Sequence, residues 1–206
     1  RASDDLTRLR FEAKGKADFV TEVDLASERE LIFNLQKTYP DHAFLCEESG
    51  RTGPEDAEYV WIIDPLDGTS NFMRGIPHYC ISIACTKAGK VEHAVVLDPV
   101  RQEEFTASRG RGAQLNGRRL RVSDRVDFKE CLIGTGTPFL GHSEDRMAWY
   151  LKGLGEIAGN SMGIRRAGAA ALDLAYVAAG RLDGFWEAGL KPWDVAAGAL
   201  LIRESG

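Results

Sequence analysis

The sequence predicts a mixed α/β fold, and three observations lead to that prediction. Short apolar runs of strand length, such as residues 59–63, alternate with longer segments of helical periodicity, such as residues 24–39. The 22 glycines are spread among many short connections. No internal repeat or low-complexity tract interrupts the chain. This pattern is typical of helices and sheets that pack around a shared core.

Composition excludes several classes of protein. The 206 residues are 44% hydrophobic and 28% charged, and the net charge of −5 argues against a dedicated nucleic-acid binder. No apolar run approaches the roughly 18 residues of a membrane span, and residues 1–10 do not resemble a signal peptide. The four cysteines lack C-x-x-C spacing and are expected to be reduced, packed thiols. We therefore expect a cytoplasmic protein without a membrane partner.

The N-terminal part is predicted to be a loop and short extended piece, residues 14–20, followed by a helix. Leu31, Ile32, Leu35 and Tyr39 fall on one helical face, and Pro40 ends the pattern. Asp24 suits the N-cap of this helix. A carboxylate at a helix start can also turn into a binding site, and the residues alone leave both roles open.

Two predicted strands end in acids. Residues 43–46 run into Glu47 and Glu48, of which at most one should face a given site because neighbouring side chains of a strand alternate. Residues 59–63 stop at Asp64, which Pro65 holds in extended geometry. Asp67 then opens a tight turn, after which Thr69 or Ser70 is predicted to cap a short helix.

The middle of the chain is predicted to be an antiparallel meander over residues 79–122. Residues 79–87 and 91–97 form a hairpin around residues 88–90, and Asn116-Gly117 carries the type I′ turn signature. Seven arginines make residues 101–125 basic: Arg101, Arg109, Arg111, Arg118, Arg119, Arg121 and Arg125. Because Phe105 is its one aromatic residue, a solvated surface is favoured over an RNA-stacking face.

The C-terminal third is predicted to alternate strands with helices. A strand at residues 132–136 precedes an amphipathic helix at 144–157, and a small-residue segment leads into a helix at 172–179. Small residues at a helix start allow either ligand approach or close packing. The strand at 182–187 ends in Glu187, and Asp194 stands where the N-cap of a helix at 195–203 belongs.

Four carboxylates at strand ends and helix starts predict a metal site. Glu47, Asp64, Asp67 and Asp194 would repel one another if gathered without a cation, and Mg²⁺ prefers such oxygen ligands together with substrate phosphate. That chemistry supports in-line phosphoryl displacement by an activated water. No role is assigned to the four scattered histidines, His42, His78, His93 and His142.

The same residues resemble the inositol monophosphatase family. Residues 64–72 (DPLDGTSNF), 47–49 (EES) and 193–198 (WDVAAG) are similar to its three signatures, and residues 18–24 to the segment before its first core helix. Residues 165–168 and 172–181 are similar to its bacterial branch. The resemblance implies a layered αβαβα sandwich, a homodimer, and a lithium-sensitive, Mg²⁺-dependent phosphatase that hydrolyses myo-inositol monophosphate.

The resemblance also implies individual roles. Two to three Mg²⁺ ions are expected, the first on Glu47, Asp64 and the Leu66 carbonyl, the second on Asp64, Asp67 and Asp194, and a weaker third near Glu47. The implied catalytic residues are Thr69, Asp24 and Glu47, with Thr69 and Asp24 orienting the attacking water. The implied substrate contacts are Gly68, Thr69, Gly168, Ala169, Ala170, Glu187 and Asp194.

Domain organisation and alternatives complete the prediction. Residues 1–206 are expected to form a single catalytic domain with lobes at roughly 1–130 and 131–206, trimmed at both ends relative to the family. Alternative substrates are histidinol phosphate, fructose 1,6-bisphosphate and adenosine 3′,5′-bisphosphate. A different class of function is a phosphatase scaffold whose basic hairpin, residues 101–125, docks RNA or a transcription partner.

Overall fold

The computed structural model describes residues 11–15, 18–138 and 144–206. Residues 1–10, His142 and part of the predicted loop at 14–20 lie outside this range. Strands β1 (Phe11–Gly15) and β2 (Asp18–Thr21) form an antiparallel pair ahead of helix α1 (Glu22–Thr38). Every helix in these described ranges is too short or too polar to span a bilayer.

The centre of the protein is an eight-stranded sheet with the order β10-β9-β8-β7-β6-β5-β3-β4. All its neighbours are antiparallel except β3 and β5, which are parallel. Strands β6 to β10 follow one another in chain order, which confirms the predicted meander. The strands of the large sheet are β3 (Ala43–Cys46), β4 (Gly50–Thr52), β5 (Tyr59–Asp67), β6 (Cys80–Lys87), β7 (Lys90–Asp98), β8 (Glu103–Ser108), β9 (Gly112–Leu115) and β10 (Arg118–Arg119).

A second, parallel sheet of three strands has the order β12-β11-β13. It consists of β11 (Leu132–Thr135), β12 (Gly163–Arg165) and β13 (Gly184–Trp186). The other helices within the described residues are α2 (Thr69–Met73), α3 (Glu144–Asn160), α4 (Ala170–Ala178) and α5 (Pro192–Ser205), and Phe128–Glu130 form a 3-10 turn.

The two faces of the large sheet carry different helices. Ile62 packs into the core formed with α4 and α5, whereas Ile63 packs with Phe44 against Leu31 and Leu35 of α1. Adjacent residues of a strand face opposite sides, so α1 covers one face and α4 with α5 the other. Helix α3 lies beyond the small sheet, where Tyr150 stacks on Trp186 of β13. These layers confirm the predicted mixed α/β sandwich.

Strand β5 does not stop at Asp64 as predicted but continues through Pro65 to Asp67. The pairing with β6 shifts register between Asp64 and Asp67, which marks a bulge. A bulge tolerates proline because the local ladder hydrogen bond is already interrupted. The bulge turns the last residues of β5 into the corner where the acids lie.

The predicted caps were wrong at three helices. Thr21 caps α1, and Asp24 stands one turn inside, where its carboxylate accepts the Thr21 N–H at 2.9 Å. Asp194 has the same place in α5, accepting the Lys191 N–H at 2.6 Å. Gly68 precedes α2 without a side-chain cap, so neither Thr69 nor Ser70 has that role. In each case the helix begins earlier than the predicted capping residue suggests.

Candidate active site

The bulged end of β5 places two aspartates at the corner between the large sheet and α4. Asp64 is 2% exposed, and its Oδ1 accepts the Leu66 N–H at 3.0 Å. Asp67 Oδ2 accepts the Ala171 N–H at 2.7 Å and lies 3.7 Å from the Cys80 thiol sulfur. Since Ala171 lies in the first turn of α4, the helix dipole favours a negative charge there. Asp67 therefore joins the large sheet to α4.

The carboxylates at this corner repel one another. Burial raises the pKa of Asp64 well above its usual value, and the charges of Asp67, Glu47 and Asp194 raise it further. Burial and Asp194 raise the pKa of Asp67 to about 8, against the lowering effect of the Ala171 N–H. The main lowering effects on these two pKa values come from the backbone N–H groups of Leu66 and Ala171, and not from a basic side chain. The structure thus brings all four predicted metal-ligand carboxylates within electrostatic reach of one another.

This donor set fits a hard divalent cation, because it offers only oxygen and carries uncompensated negative charge. The carboxylates are nevertheless not gathered into a closed shell. Across residues 11–15, 18–138 and 144–206, no group of three or more His, Cys, Asp or Glu side chains stands ready to hold a metal. Asp64, Asp67 and Asp194 each accept a backbone N–H instead. These bonds use one oxygen of each carboxylate, which leaves the other oxygen to face a cation.

Thr69 links this corner to α1. Its hydroxyl lies 3.0 Å from Asp24 Oδ1 and 3.0 Å from the Leu66 carbonyl oxygen. The single hydroxyl hydrogen can go to one acceptor at a time, which leaves the oxygen able to accept a hydrogen bond from water. Asp24 is 1% exposed, and its Oδ2 is held by the N–H and hydroxyl of Thr21. Asp24 is therefore part of the capping box of α1 and also faces the Thr69 hydroxyl.

Glu28 was missed by the sequence reading, although it has a direct part in the site's geometry. It is 3% exposed, and its two carboxylate oxygens accept the N–H groups of Glu48 and Ser49, each at 2.9 Å. It therefore fixes the loop that begins with Glu47. The available signal was the spacing of Glu28 four residues after Asp24, which puts both on one helical face.

The turn at Gly68 requires glycine. Its φ of 93° is left-handed, and a Cβ there would lie 3.0 Å from the His78 carbonyl oxygen and 3.2 Å from the Ala169 Cβ. A larger residue would be strained and crowded. The turn thus packs against the segment 168–170, so the structure places these predicted substrate contacts beside the aspartate corner.

Glu187 follows β13 and approaches Gly136 closely. A Cβ on Gly136 would lie 1.8 Å from the Glu187 carboxyl carbon, so the carboxyl group occupies the space over that glycine. Burial raises the pKa of Glu187 to about 7, and the nearby Arg166 opposes the rise. Asp194 and Asp173 also raise it. Glu187 therefore shares the electrostatic environment of the acid corner.

The comparison with known families decides the classification. A model of the inositol monophosphatase family matches residues 2–206. The chain belongs to the inositol monophosphatase family. This result confirms the family predicted from the three acidic signatures.

The relatives of this inositol monophosphatase family member include proteins named SuhB and a protein named as a phosphatase. The chain is 56% identical over 208 residues to a protein of Pseudomonas aeruginosa named Nus factor SuhB, covering 100% of this chain and 77% of that protein. The solved structure of extragenic suppressor protein SuhB from Bartonella henselae is 46% identical, with a TM-score of 0.95 over 100% of this chain and 78% of that one.

A more distant solved structure carries an enzyme's name. It is a dual specific IMPase/NADP phosphatase bound with D-inositol-1-phosphate, 26% identical to this chain. Its TM-score is 0.82, covering 98% of this chain and 74% of that one. The same family architecture therefore accompanies both a protein named as a phosphatase and proteins named SuhB.

Proposed function

We propose that this protein is a Mg²⁺-dependent phosphomonoesterase and that its substrate is myo-inositol monophosphate. The observation that supports the proposal most directly is the mutual electrostatic effect of the four carboxylates around Asp64, which bound cations would relieve. Membership of the inositol monophosphatase family supports the reaction class. A family structure bound with D-inositol-1-phosphate supports the substrate.

The proposed ligand assignment uses oxygen donors from three parts of the chain. Glu47, Asp64 and the Leu66 carbonyl would hold one Mg²⁺, and Asp64, Asp67 and Asp194 a second, with a weaker third ion near Glu47. Bound Mg²⁺ supplies Lewis acidity, which lowers the pKa of a coordinated water and stabilises charge on the ester oxygens. The four acids cannot perform this role themselves because none carries positive charge.

The protein's own groups would orient the water and the substrate. Thr69 Oγ1, with its hydrogen directed to Asp24 Oδ1, accepts a hydrogen bond from the attacking water and aims its oxygen at phosphorus. The N–H groups of Gly68 and Thr69 hold phosphate oxygens, since the first N–H groups of a helix have no partner within it. The segment 168–170 and Glu187 contact the alcohol. The new P–O bond forms as the ester P–O bond breaks, and the alcohol leaves with a proton.

Phosphate release from a panel of substrates tests the proposal. The panel contains inositol 1-phosphate, histidinol phosphate, fructose 1,6-bisphosphate and adenosine 3′,5′-bisphosphate, each measured with Mg²⁺, with EDTA, and with Mg²⁺ plus Li⁺. We expect the highest kcat/KM with inositol 1-phosphate, loss of activity in EDTA and inhibition by Li⁺. A last place for inositol 1-phosphate would refute the substrate, and Mg²⁺-independent hydrolysis would refute the mechanism.

A second proposed role is docking of RNA or the transcription machinery. The relative named Nus factor SuhB supports it, as does the exposed basic edge formed by Arg118, Arg119 and Arg121. None of the three forms an ion pair within the part of the chain that the structure describes. Their charge is therefore available to phosphates or to acidic protein surfaces.

Binding measured against salt concentration tests this second role. We expect the wild-type protein to shift RNA at low salt, with affinity falling as salt rises, and a triple Arg→Gln variant at these positions to lose the shift. Phosphatase activity of that variant should match the wild type because four strands, β9 to β6, lie between β10 and the acids of β5 in the large sheet. No shift at low salt would exclude RNA, and a pull-down with purified transcription proteins would then decide the protein-partner alternative.

We also propose a cytoplasmic homodimer, as the family resemblance implies. The four cysteines, Cys46, Cys80, Cys85 and Cys131, are free and buried, as expected for a reducing compartment. Sedimentation of the purified protein over a range of concentrations would give the mass in solution. A mass equal to one chain at all concentrations would contradict the dimer.

A further inference from the structure

One buried amide joins two separate segments of the candidate site. Asn71, in α2, is 8% exposed, and its Nδ2 donates to the His78 carbonyl at 2.7 Å and to the Ala167 carbonyl at 2.9 Å. Because both partners are carbonyl acceptors, the orientation of the amide is fixed by chemistry. Both N–H hydrogens of the group are used. Asn71 therefore connects segments that lie seven residues and 96 residues away from it.

A second contact reinforces this connection. His78 Nε2 lies 3.1 Å from Asp173 Oδ1, and Asp173 is 2% exposed within α4. The His78 ring also packs edge-on against Tyr176 one turn further along the helix. The turn after α2 is thus held against α4 by the His78 ring, and the Asn71 amide ties it to the segment that precedes α4.

The segment that these contacts hold is the one that faces the aspartate corner. Ala167 directly precedes residues 168–170, and Ala171 donates its N–H to Asp67. Gly168 has a left-handed φ of 96°, which favours glycine, and a Cβ there would lie 3.1 Å from Asn71 Nδ2, so this backbone packs directly against the amide. A movement of Ala167 would reach these neighbours because Ala171 is only four residues further along the chain.

We propose that Asn71 is a positioning residue that sets the distance between the Gly68 turn and the segment 167–171. It touches neither the phosphate nor the proposed metal ligands. Its effect is to hold the groups that contact the alcohol part of the substrate, so it controls selection among phosphate esters more than the chemical step. The claim about substrate selection rests on the proposed phosphatase function. The claim that Asn71 holds the segment 167–171 in place does not, and it is called the structural part below.

Hydrogen–deuterium exchange tests the structural part without any activity. Asn71→Asp has the same shape but presents oxygen to two carbonyls, and Asn71→Ser removes both hydrogen bonds without adding charge. In full-length protein we expect amide exchange in residues 166–173 to accelerate about tenfold in both variants, since local opening becomes easier. Asn34→Asp is the matched control, because Asn34 is exposed and its side-chain amide donates only to Glu30. Exchange equal to that of the control would overturn the inference.

Substrate selection tests the remaining part. With Mg²⁺ present, we expect the ratio of kcat/KM for inositol 1-phosphate to that for p-nitrophenyl phosphate to fall about tenfold in Asn71→Ser, mainly through KM. An unchanged ratio together with faster exchange would overturn the link to selection. Wild-type protein that hydrolyses neither ester would refute the proposed function, while the exchange result would still decide whether Asn71 holds the segment. If Asn71→Asp does not fold, Asn71→Ser carries both measurements.

Discussion

Replacement of Glu28 by glutamine tests how the loop that contains Glu47 is held. The buried carboxylate of Glu28 accepts the N–H groups of Glu48 and Ser49 at 2.9 Å each. Glutamine keeps one accepting oxygen but turns an NH₂ group toward the other N–H. Glu28→Gln therefore removes one charge-assisted hydrogen bond and leaves one buried donor without an acceptor.

The expected cost follows from those contacts. A hydrogen bond to a charged group contributes about 1.5–3 kcal/mol, so we expect the free energy of unfolding to fall by about 2 kcal/mol. For a chain of this size, that loss lowers Tm by about 4–8 °C. Because Glu47 begins the same loop, half-maximal activity should also require more Mg²⁺.

The assay is thermal unfolding followed by circular dichroism, with a Mg²⁺ titration of activity beside it. Glu30→Gln is the matched control, since Glu30 is exposed on the same helix and accepts a hydrogen bond from Asn34. We expect the control to change Tm by less than about 1 °C, as exposed positions usually do. Equal Tm values for the two variants would show that the Glu28 contacts do not stabilise the loop, and the reasoning would fail.

Three further predictions concern charge and space at the site. Asp67→Asn should lower Mg²⁺-dependent kcat at least about 100-fold. The same variant should have a higher Tm than the wild type when Mg²⁺ is absent, because the rise of the Asp67 pKa to about 8 means that its ionised carboxylate destabilises the fold. Since burial raises the Glu187 pKa from 4.5 to about 7, its contribution to stability is complete below about pH 4.5 and lost as pH rises through about 7. The Tm of the wild type should therefore fall relative to that of Glu187→Gln across this range, and parallel Tm curves would contradict the shift. Gly136→Ala should displace the Glu187 carboxyl and lower kcat/KM for inositol 1-phosphate. Gly155→Ala is its control and should leave kcat/KM unchanged, because a Cβ there meets nothing within 4 Å. Equal kcat/KM values for the two variants would exclude contact between Glu187 and the substrate.

The layered fold and the acid corner could be predicted because their signals are local. Strands β3 and β5 were recognised by apolar runs, and the acids at their ends follow directly in sequence. Parallel pairing of these two strands then brings Glu47 toward Asp64. The presence of acidic residues at the ends of these strands can therefore be predicted from the sequence alone.

The details that failed depend on where each helix begins or on contacts between distant segments. Asp24 and Asp194 suit an N-cap by type, but each lies one turn inside its helix, since the helix begins earlier. The Glu28 and Asn71 contacts with loop backbones were missed, because a helical pattern does not show which loop will lie against a given polar side chain. His78 likewise gained a partner only when the fold brought Asp173 beside it.

The two ends of the large sheet have a consequence for solubility. Its outermost strands are short: β10 is two arginines long, and β4 at the opposite border has three residues with Arg51 at its centre. Unpaired backbone at such borders can recruit strands from other molecules, and cationic side chains on brief borders discourage this. Any substitution meant to abolish phosphate binding at Arg118 or Arg119 should consequently use a hydrophilic residue. An apolar residue would remove the positive charge but would also promote pairing of this strand with other molecules, and hence fibrils.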